Sequence, residues 1–213
     1  MILLASRSPR RISLLRSLGL EFEVWEPPEL EPPPFSSSPA QLAERMAVSK
    51  VLHFRGRGIV VSADTLVVRE GRIYPKPRDE EEAVSILREL RGGTHVVVTG
   101  VAVLGPDRLL VSSDQTVVVM RDYSEEEICS YVRSGKPMDK AGAYGIQDAF
   151  SPVGTFEGCY QNVVGLPLCT LLGLLREVGL HPTPSILLEC STCPKVRELK
   201  LESSLNSSAR QRK

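Results

Sequence analysis

Apolar positions along this chain recur in two rhythms, short β-branched runs and stripes at helical spacing, and their alternation predicts an α/β sheet covered by helices. Residues 2–5 and 21–26 read as strands flanking a helix that opens at Ser8 and Pro9, aligns Ile12, Leu15 and Leu18, and ends at Gly19. Pro27 to Pro39 is a proline- and serine-rich loop, followed by a helix over residues 40–54 that Gly56 and Gly58 stop. Two apolar runs, Ile59-Val60-Val61 and Leu66-Val67-Val68, enclose Ser62-Ala63-Asp64-Thr65, and Glu70-Gly71 marks a hairpin turn. Asp79 through Glu82 open a helix that reaches Leu90; their carboxylates favour its N-terminus, a structural job rather than a catalytic one. Val96–Val98 and Val101–Leu104 form one strand, Gly105-Pro106-Asp107 turns, and Leu109 to Arg121 continues the sheet. Ser124 and Glu127 make a capping box for a helix ending near Gly135, a glycine-rich polar stretch runs from Asp139 to Gln147, and a last helix spans Pro167 to Gly179. From His181 the pattern decays, which predicts a domain over residues 1–180 and a disordered tail over 181–213.

Charge and cysteine content narrow the function. The 213 residues carry 26 Lys plus Arg against 26 Asp plus Glu, so no global excess attracts nucleic acid or an anionic membrane, and any anion site must be local. No apolar run approaches the roughly twenty residues of a membrane span, and the first residues lead into arginines rather than a signal peptide. The expectation is a cytoplasmic protein with neither nucleic-acid nor membrane partners. Its five cysteines are too few and too unevenly placed for a disulfide framework, and Cys190-Ser191-Thr192-Cys193, without a partner pair or a nearby histidine, reads as incidental thiols.

Candidate chemistry begins at the first helix. Arg10 and Arg11 occupy its first turn, where they oppose the macrodipole; a bound anion, met also by the Ser6 and Ser8 hydroxyls, would remove the conflict, whereas a solvated surface pair is the plainer reading. Asp64 follows a buried-type run and suits a general base or a metal ligand, or else ends the strand through turn hydrogen bonds. Lys76 lies between Pro75 and Pro77, which restrict the backbone around it. Lys50, among Met46, Ala47, Val51 and Phe54, favours snorkelling from the core edge on its own merits. His95, before a valine strand, reads as structural. The histidines form no metal spacing, and P-loop, dinucleotide and nucleophile-elbow motifs are absent, which leaves oxygen ligands and a hard cation such as magnesium for any metal.

Taken in order, Leu4-Ala5-Ser6-Arg7-Ser8-Pro9-Arg10-Arg11, Ala63-Asp64-Thr65, Lys76-Pro77, Thr94-His95 with Thr99-Gly100-Val101, Asp139 to Gln147, and Asn162-Val163-Val164-Gly165-Leu166-Pro167-Leu168 resemble the Maf family of nucleoside triphosphate pyrophosphatases, from Ile2 to Val178. The resemblance implies an inosine triphosphatase-like fold, elongated and two-lobed, with a mixed sheet, packed helices and a central cleft. It also implies hydrolysis of a nucleoside triphosphate to the monophosphate and pyrophosphate, assisted by a divalent cation, Mg²⁺ or Mn²⁺. Ala-Asp-Thr and Gly-Ala-Tyr-Gly-Ile-Gln are similar to the branch acting on dTTP and UTP, with modified pyrimidine nucleotides as further substrates. By that likeness Asp64 is the proton acceptor, and Arg10, Thr65 and Gln147 set base specificity. Ser6, Arg11, Glu31, Lys50 and Lys76 fall at further cleft positions, Glu31 joining Asp64 as a metal ligand. Lys136, Arg91 and Asp148-Ala149-Phe150 depart from the family pattern, the last of these in the turn after Gln147. The resemblance leaves a homodimer open. Its competitor from another class is a non-catalytic nucleotide-binding regulator of cell division that keeps the cationic clamp without hydrolysis.

Overall fold

The computed structural model describes residues 1–28 and 38–182. Its elements are β1 (Ile2–Ala5), α1 (Pro9–Arg16), β2 (Glu23–Trp25), α2 (Pro39–Leu52), β3 (Ile59–Arg69), β4 (Arg72–Tyr74), α3 (Glu80–Leu90), β5 (Thr94–Leu104), β6 (Leu109–Met120), α4 (Glu125–Arg133), two 3-10 turns (Lys136–Asp139 and Ala141–Ala143), β7 (Val153–Glu157), α5 (Tyr160–Val164) and α6 (Leu168–Glu177). The start signals act as the sequence predicts. Ser8, Asp79 and Ser124 cap α1, α3 and α4 by accepting from the backbone N–H three residues on, and the Ser124–Glu127 box is reciprocal. The β3–β4 hairpin turns through Glu70 and Gly71 at φ of 52° and 79°, the double positive φ of a two-residue turn. Among the described residues no helix is long and apolar enough to cross a membrane. The tail over residues 183–213, with the Cys190 and Cys193 thiols, and residues 29–37, with the expected metal ligand Glu31, lie outside the described residues.

Among the described residues the strands form one seven-stranded mixed sheet in the order β2-β1-β3-β5-β6-β7, with β4 also on β3. The β2–β1 and β1–β3 pairs are parallel and the rest antiparallel. The strand does not end at Asp64, as one reading of the sequence allows: β3 continues to Arg69, and Asp64 pairs with Gly100 in mid-ladder. The opposite edge of β3 is less complete. It pairs with β1 through Ile59–Val61 and with β4 through Val67–Arg69, which leaves residues 62–66 without a strand on that side. This gap is a notch in the sheet, and it positions the site.

Helices cover both faces. On one, α2 buries Ala43, Ala47 and Val51 against Leu3, Val60 and Ala102, and Ser62 Oγ donates to the Ala47 carbonyl at 2.6 Å. On the other, α1 and α6 pack over Leu4, Val61, Ala63, Val101 and Val103, while α3 and α4 pack over Val67, Val97 and Val118 further along the same strands. The core is thus divided into clusters, with the notch near their boundary. The sequence reading missed β7 and α5. β7 is an edge strand exposed along most of its length, and α5 is a five-residue helix without a side-chain cap, so neither carries a periodic apolar signal.

Gly100 sets the height of α2 above the sheet. A Cβ there would lie 2.4 Å from the Ala43 carbonyl carbon and oxygen and 2.5 Å from the Glu44 nitrogen, all helix backbone that cannot move aside alone. Gly100→Ala is expected to destabilise the fold by about 1–3 kcal/mol through overpacking, read as a lower midpoint in urea unfolding; an unchanged midpoint would show that α2 is not held this close.

Candidate active site

The notch opens into a cleft of about 110 Å³ lined by Arg10, Arg11, Lys50, Asp64, Thr65, Lys76 and Gln147 among others. A neighbouring hollow of about 290 Å³, lined by Ser6, shares Arg11, Lys50 and Lys76 with it. Successive residues of a strand point to opposite faces. Asp64 accordingly lies on the α2 side and Thr65 on the α1 side, and both reach one cleft because the sheet has no strand between them and the opening.

Each cationic group arrives from a different element. Lys50, in the last turn of α2, donates to Asp64 Oδ1 at 2.5 Å and to the Ala63 carbonyl at 3.3 Å. It therefore reaches the cleft instead of snorkelling outward, the apolar residues around it lying on the buried stripe of α2 while the ammonium finds a carboxylate and an unpaired edge carbonyl. Arg11 spends Nε on the Gly165 carbonyl at 2.8 Å and Nη2 on Thr65 Oγ1 at 2.9 Å. Arg10 crosses to the first 3-10 turn, meeting Asp139 Oδ2 at 2.6 Å and the Asp139 carbonyl at 3.0 Å. The solvated-pair reading of the two arginines is thereby overturned. Lys76, two residues past β4, reaches the rim, as does the exposed Gln147. Ser6 Oγ accepts from the Ser8 N–H at 3.1 Å, and Ser8 caps α1, so both hydroxyls serve the backbone here.

Charge in the cleft is unevenly matched. Arg10 pairs with Asp139, and Lys50 with Asp64. Among the described residues neither Arg11 nor Lys76 has a carboxylate within ion-pair distance. Burial lowers the pKa of Arg11, with Asp64 opposing and Arg10 adding to the shift. Burial likewise lowers Lys50 despite Asp64, and burial with the charge of Arg11 lowers Lys76. Burial pushes Asp139 up, but hydrogen bonds from Lys140 and Arg10 outweigh it and hold the carboxyl below its ordinary value. The group as a whole is short of negative charge, and an anion would relieve it.

Apolar surface completes the cleft through Val67, Val97, Tyr144 and Val163. His95 stands behind this wall as a structural residue: its Nε2 lies 2.7 Å from the Tyr144 hydroxyl, and burial drops its pKa to about 4. Asp139, Lys140, Thr99 and Asn162 had appeared in the sequence motifs without assigned roles. Lys140 is buried, bonded to the Lys136 carbonyl and Asp139 and 3.5 Å from Asp148, whose carboxylate also accepts from the Tyr131 hydroxyl at 2.5 Å. Asp148, which departs from the family pattern, is thus built into the loop that carries Gln147. In the sequence the available signal is only the adjacent Asp139-Lys140 pair with Asp148 eight residues on.

No group of three His, Cys, Asp or Glu residues capable of holding a metal occurs among the described residues. Asp64 offers one hard oxygen donor beyond the Lys50 contact, since its Oδ2 has no protein partner there. One carboxylate with open neighbouring space suits Mg²⁺, which keeps waters and takes substrate phosphates as ligands in place of an all-protein cage.

A family profile described as "Maf-like protein" matches residues 1–178. The chain is similar to the "dTTP/UTP pyrophosphatase" of Dictyoglomus thermophilum, 48% identical over 185 residues that cover 84% of this chain and 96% of the relative. It is similar also to the "dTTP/UTP pyrophosphatase" of Pelotomaculum thermopropionicum, 44% identical over 184 residues, with the same coverage of each chain. Among solved structures, the Staphylococcus aureus Ham1 protein aligns at a TM-score of 0.42 and 18% identity, over 58% of this chain and 74% of that one.

Lys50 and Lys76 release their protons below the ordinary lysine value of about 10.4. A polyphosphate binds the protonated forms, so affinity is full while both are charged and falls as pH rises through the lowered values. Calorimetric titration of inorganic tripolyphosphate between about pH 7 and about pH 10 is expected to show this loss before free lysine would titrate. Lys76→Arg, which stays charged, is expected to move the loss upward; a flat profile in the native chain would remove the lysines from anion binding.

Proposed function

The chain belongs to the Maf family, and from that premise we propose that it hydrolyses nucleoside triphosphates, dTTP and UTP foremost, to the monophosphate and pyrophosphate. The observation that carries this reading is the convergence of Arg11, Lys50 and Lys76 on Asp64 in one cleft, with positive charge in excess. The names of the relatives supply the substrates.

In this mechanism the triphosphate lies across the notch. Arg10, Arg11, Lys50 and Lys76 neutralise its oxygens and the charge that grows on the departing pyrophosphate, an electrostatic contribution that costs little reorganisation where Arg10, Arg11 and Lys50 are already held by protein partners. Asp64 accepts the proton of a water as its oxygen bonds to the α-phosphorus and the bond from that phosphorus to the bridging oxygen breaks. Lys50 fixes one oxygen of the acid and leaves the other for the water. Asp64, with Glu31 from outside the described residues, would hold the divalent cation, Mg²⁺ or Mn²⁺, which when bound neutralises phosphate charge and acidifies water. The base lies against Val67, Val97 and Tyr144, with Gln147 at the rim able to offer an acceptor and a donor to a uracil or thymine edge. A substrate drawn from the free nucleotide pool suits action in the cytoplasm.

Two measurements test the reading. Purified protein with UTP and Mg²⁺ is expected to release pyrophosphate and UMP, and Asp64→Asn to lose roughly 10²–10⁴-fold in turnover with nucleotide binding largely kept. Binding without pyrophosphate release in the native chain would instead favour the non-catalytic regulator, and equal turnover in Asp64→Asn would remove the acid from the chemistry. Separately, Gln147→Ala is expected to change the ranking of UTP and dTTP against purine triphosphates in a substrate panel; an unchanged ranking would place base selection elsewhere.

A further inference from the structure

Thr65 stands beside Asp64 at a position that the family resemblance associates with base specificity, and its hydroxyl can be accounted for atom by atom. Thr99 Oγ1 lies 3.0 Å from the Asn162 carbonyl, which can only accept, so the single Thr99 proton goes there. Thr65 Oγ1 is 3.0 Å from Thr99 Oγ1, and with the Thr99 proton spent, Thr65 is the donor in that pair. The remaining Thr65 contact is accepted from Arg11 Nη2 at 2.9 Å. Thr65 therefore has no proton left to donate, and one of its two acceptor lone pairs is taken by the guanidinium.

The chain continues into a rigid anchor. Asn162 is fully buried and donates through Nδ2 to the Val97 carbonyl at 3.0 Å and to Thr116 Oγ1 at 2.9 Å, tying α5 to β5 and β6. The end of α5 returns to the same arginine, because the Gly165 carbonyl accepts from Arg11 Nε. Gly165 has φ of 120°, and a Cβ there would approach Thr65 Oγ1 to 3.3 Å and Arg11 Nε to 3.6 Å. Two carbonyls, that of Gly165 just past α5 directly and that of Asn162 within it through two threonines, thus hold one guanidinium from two directions. Among the described residues Arg11 Nη1 has no protein partner and stays available to the cleft.

We propose that Thr65 and Thr99 are positioning residues: with Asn162 they form a hydrogen-bonded chain that fixes the Arg11 guanidinium toward the triphosphate, so that Thr65 acts on phosphate through Arg11. The proposal rests on the phosphate-clamp reading of this cleft. Thr99 and Asn162 receive from it a role in substrate binding, although neither touches substrate.

The test uses the full chain with Thr65→Val, Thr99→Val and Thr65→Ser, and a ligand that has no base. Calorimetric affinity for inorganic tripolyphosphate is expected to fall about tenfold in both valine variants, the scale of a lost hydrogen bond to a charged group, and to stay near the native value in Thr65→Ser. KM for UTP and for dTTP is expected to rise in both valine variants and to stay near the native value in Thr65→Ser. A Thr65→Val protein that binds tripolyphosphate as the native chain does would overturn the proposal, because the hydroxyl would then do nothing for the phosphate clamp. Loss of tripolyphosphate affinity in Thr65→Val but not in Thr99→Val would also overturn it by cutting the chain at its second link. Should Thr99→Val fail to fold, the paired readouts of Thr65→Val, one base-free and one base-dependent, decide alone. The calorimetric arm needs no turnover, so a native chain that releases no pyrophosphate from UTP would sink the hydrolytic reading and still leave the threonine chain to be judged by binding.

Discussion

A missing strand pairing governs this molecule. β3 is held along one whole edge by β5, and on the other only at its two ends, by β1 and β4. A sheet edge with unpaired backbone groups normally invites another strand or has to be covered. Here the gap is kept open and part of it is satisfied by a side chain, since Lys50 reaches the Ala63 carbonyl. Because a strand alternates its side chains, a complete sheet would place Asp64 and Thr65 in separate compartments. The gap lets both reach one space, and it lets α1 on one face and α2 on the other send cations to the same point. The cleft follows from where β1 stops and β4 starts.

Holding those cations together is unfavourable in the absence of ligand. The half-buried Lys50 and Arg11 and the rim residue Lys76 have depressed pKa values, desolvation being the largest cause in each, which expresses how poorly the site solvates its own charge. The fold meets this with local compensation. Asp64 takes up Lys50, Asp139 takes up Arg10, and the carbonyls of Gly165 and Asp139 absorb further guanidinium donors. Compensation stops short of neutrality, since Lys76 and Arg11 keep no carboxylate partner among the described residues. In a chain whose total charge is zero, that shortfall is a local property of the notch, and a selective anion site can exist without the long-range pull that would gather nucleic acid.

How far the sequence revealed this depended on the kind of signal. The capped and striped helices α1, α3 and α4, the leucine-rich α6, and the β-branched strands β3 and β5 were legible because local propensity and burial agree there. The edge strand β7 and the short α5 were not, since tertiary pairing alone holds them. Asp64 was visible as a polar residue after an apolar run but misleading as a strand end: Ser62, Asp64 and Thr65 are polar because they line the notch and support α2, not because the strand breaks. Lys50 illustrates the opposite limit. Its helix neighbours correctly indicate a core edge, yet only the register of β3 against α2 shows that the edge faces a carboxylate. The glycine-rich stretch near Gln147 was legible as a motif, whereas the Lys140–Asp148–Tyr131 contacts that shape it join residues distant in sequence, which a linear pattern cannot disclose.

The height of α2 connects packing to chemistry. Its buried alanines and Gly100 beneath them permit a close helix–sheet approach, and Gly100 is the ladder partner of Asp64 itself. Lys50 lies one turn beyond Ala47 on that helix, so the spacing that Gly100 permits also sets how far the ammonium stands from the acid. A larger residue at this point would lift the helix and lengthen a charge-assisted contact whose strength falls steeply with distance. One absent methyl group is therefore a requirement of the core and of the site together. The two cannot be varied separately, because the close-packed interior transmits the displacement instead of absorbing it.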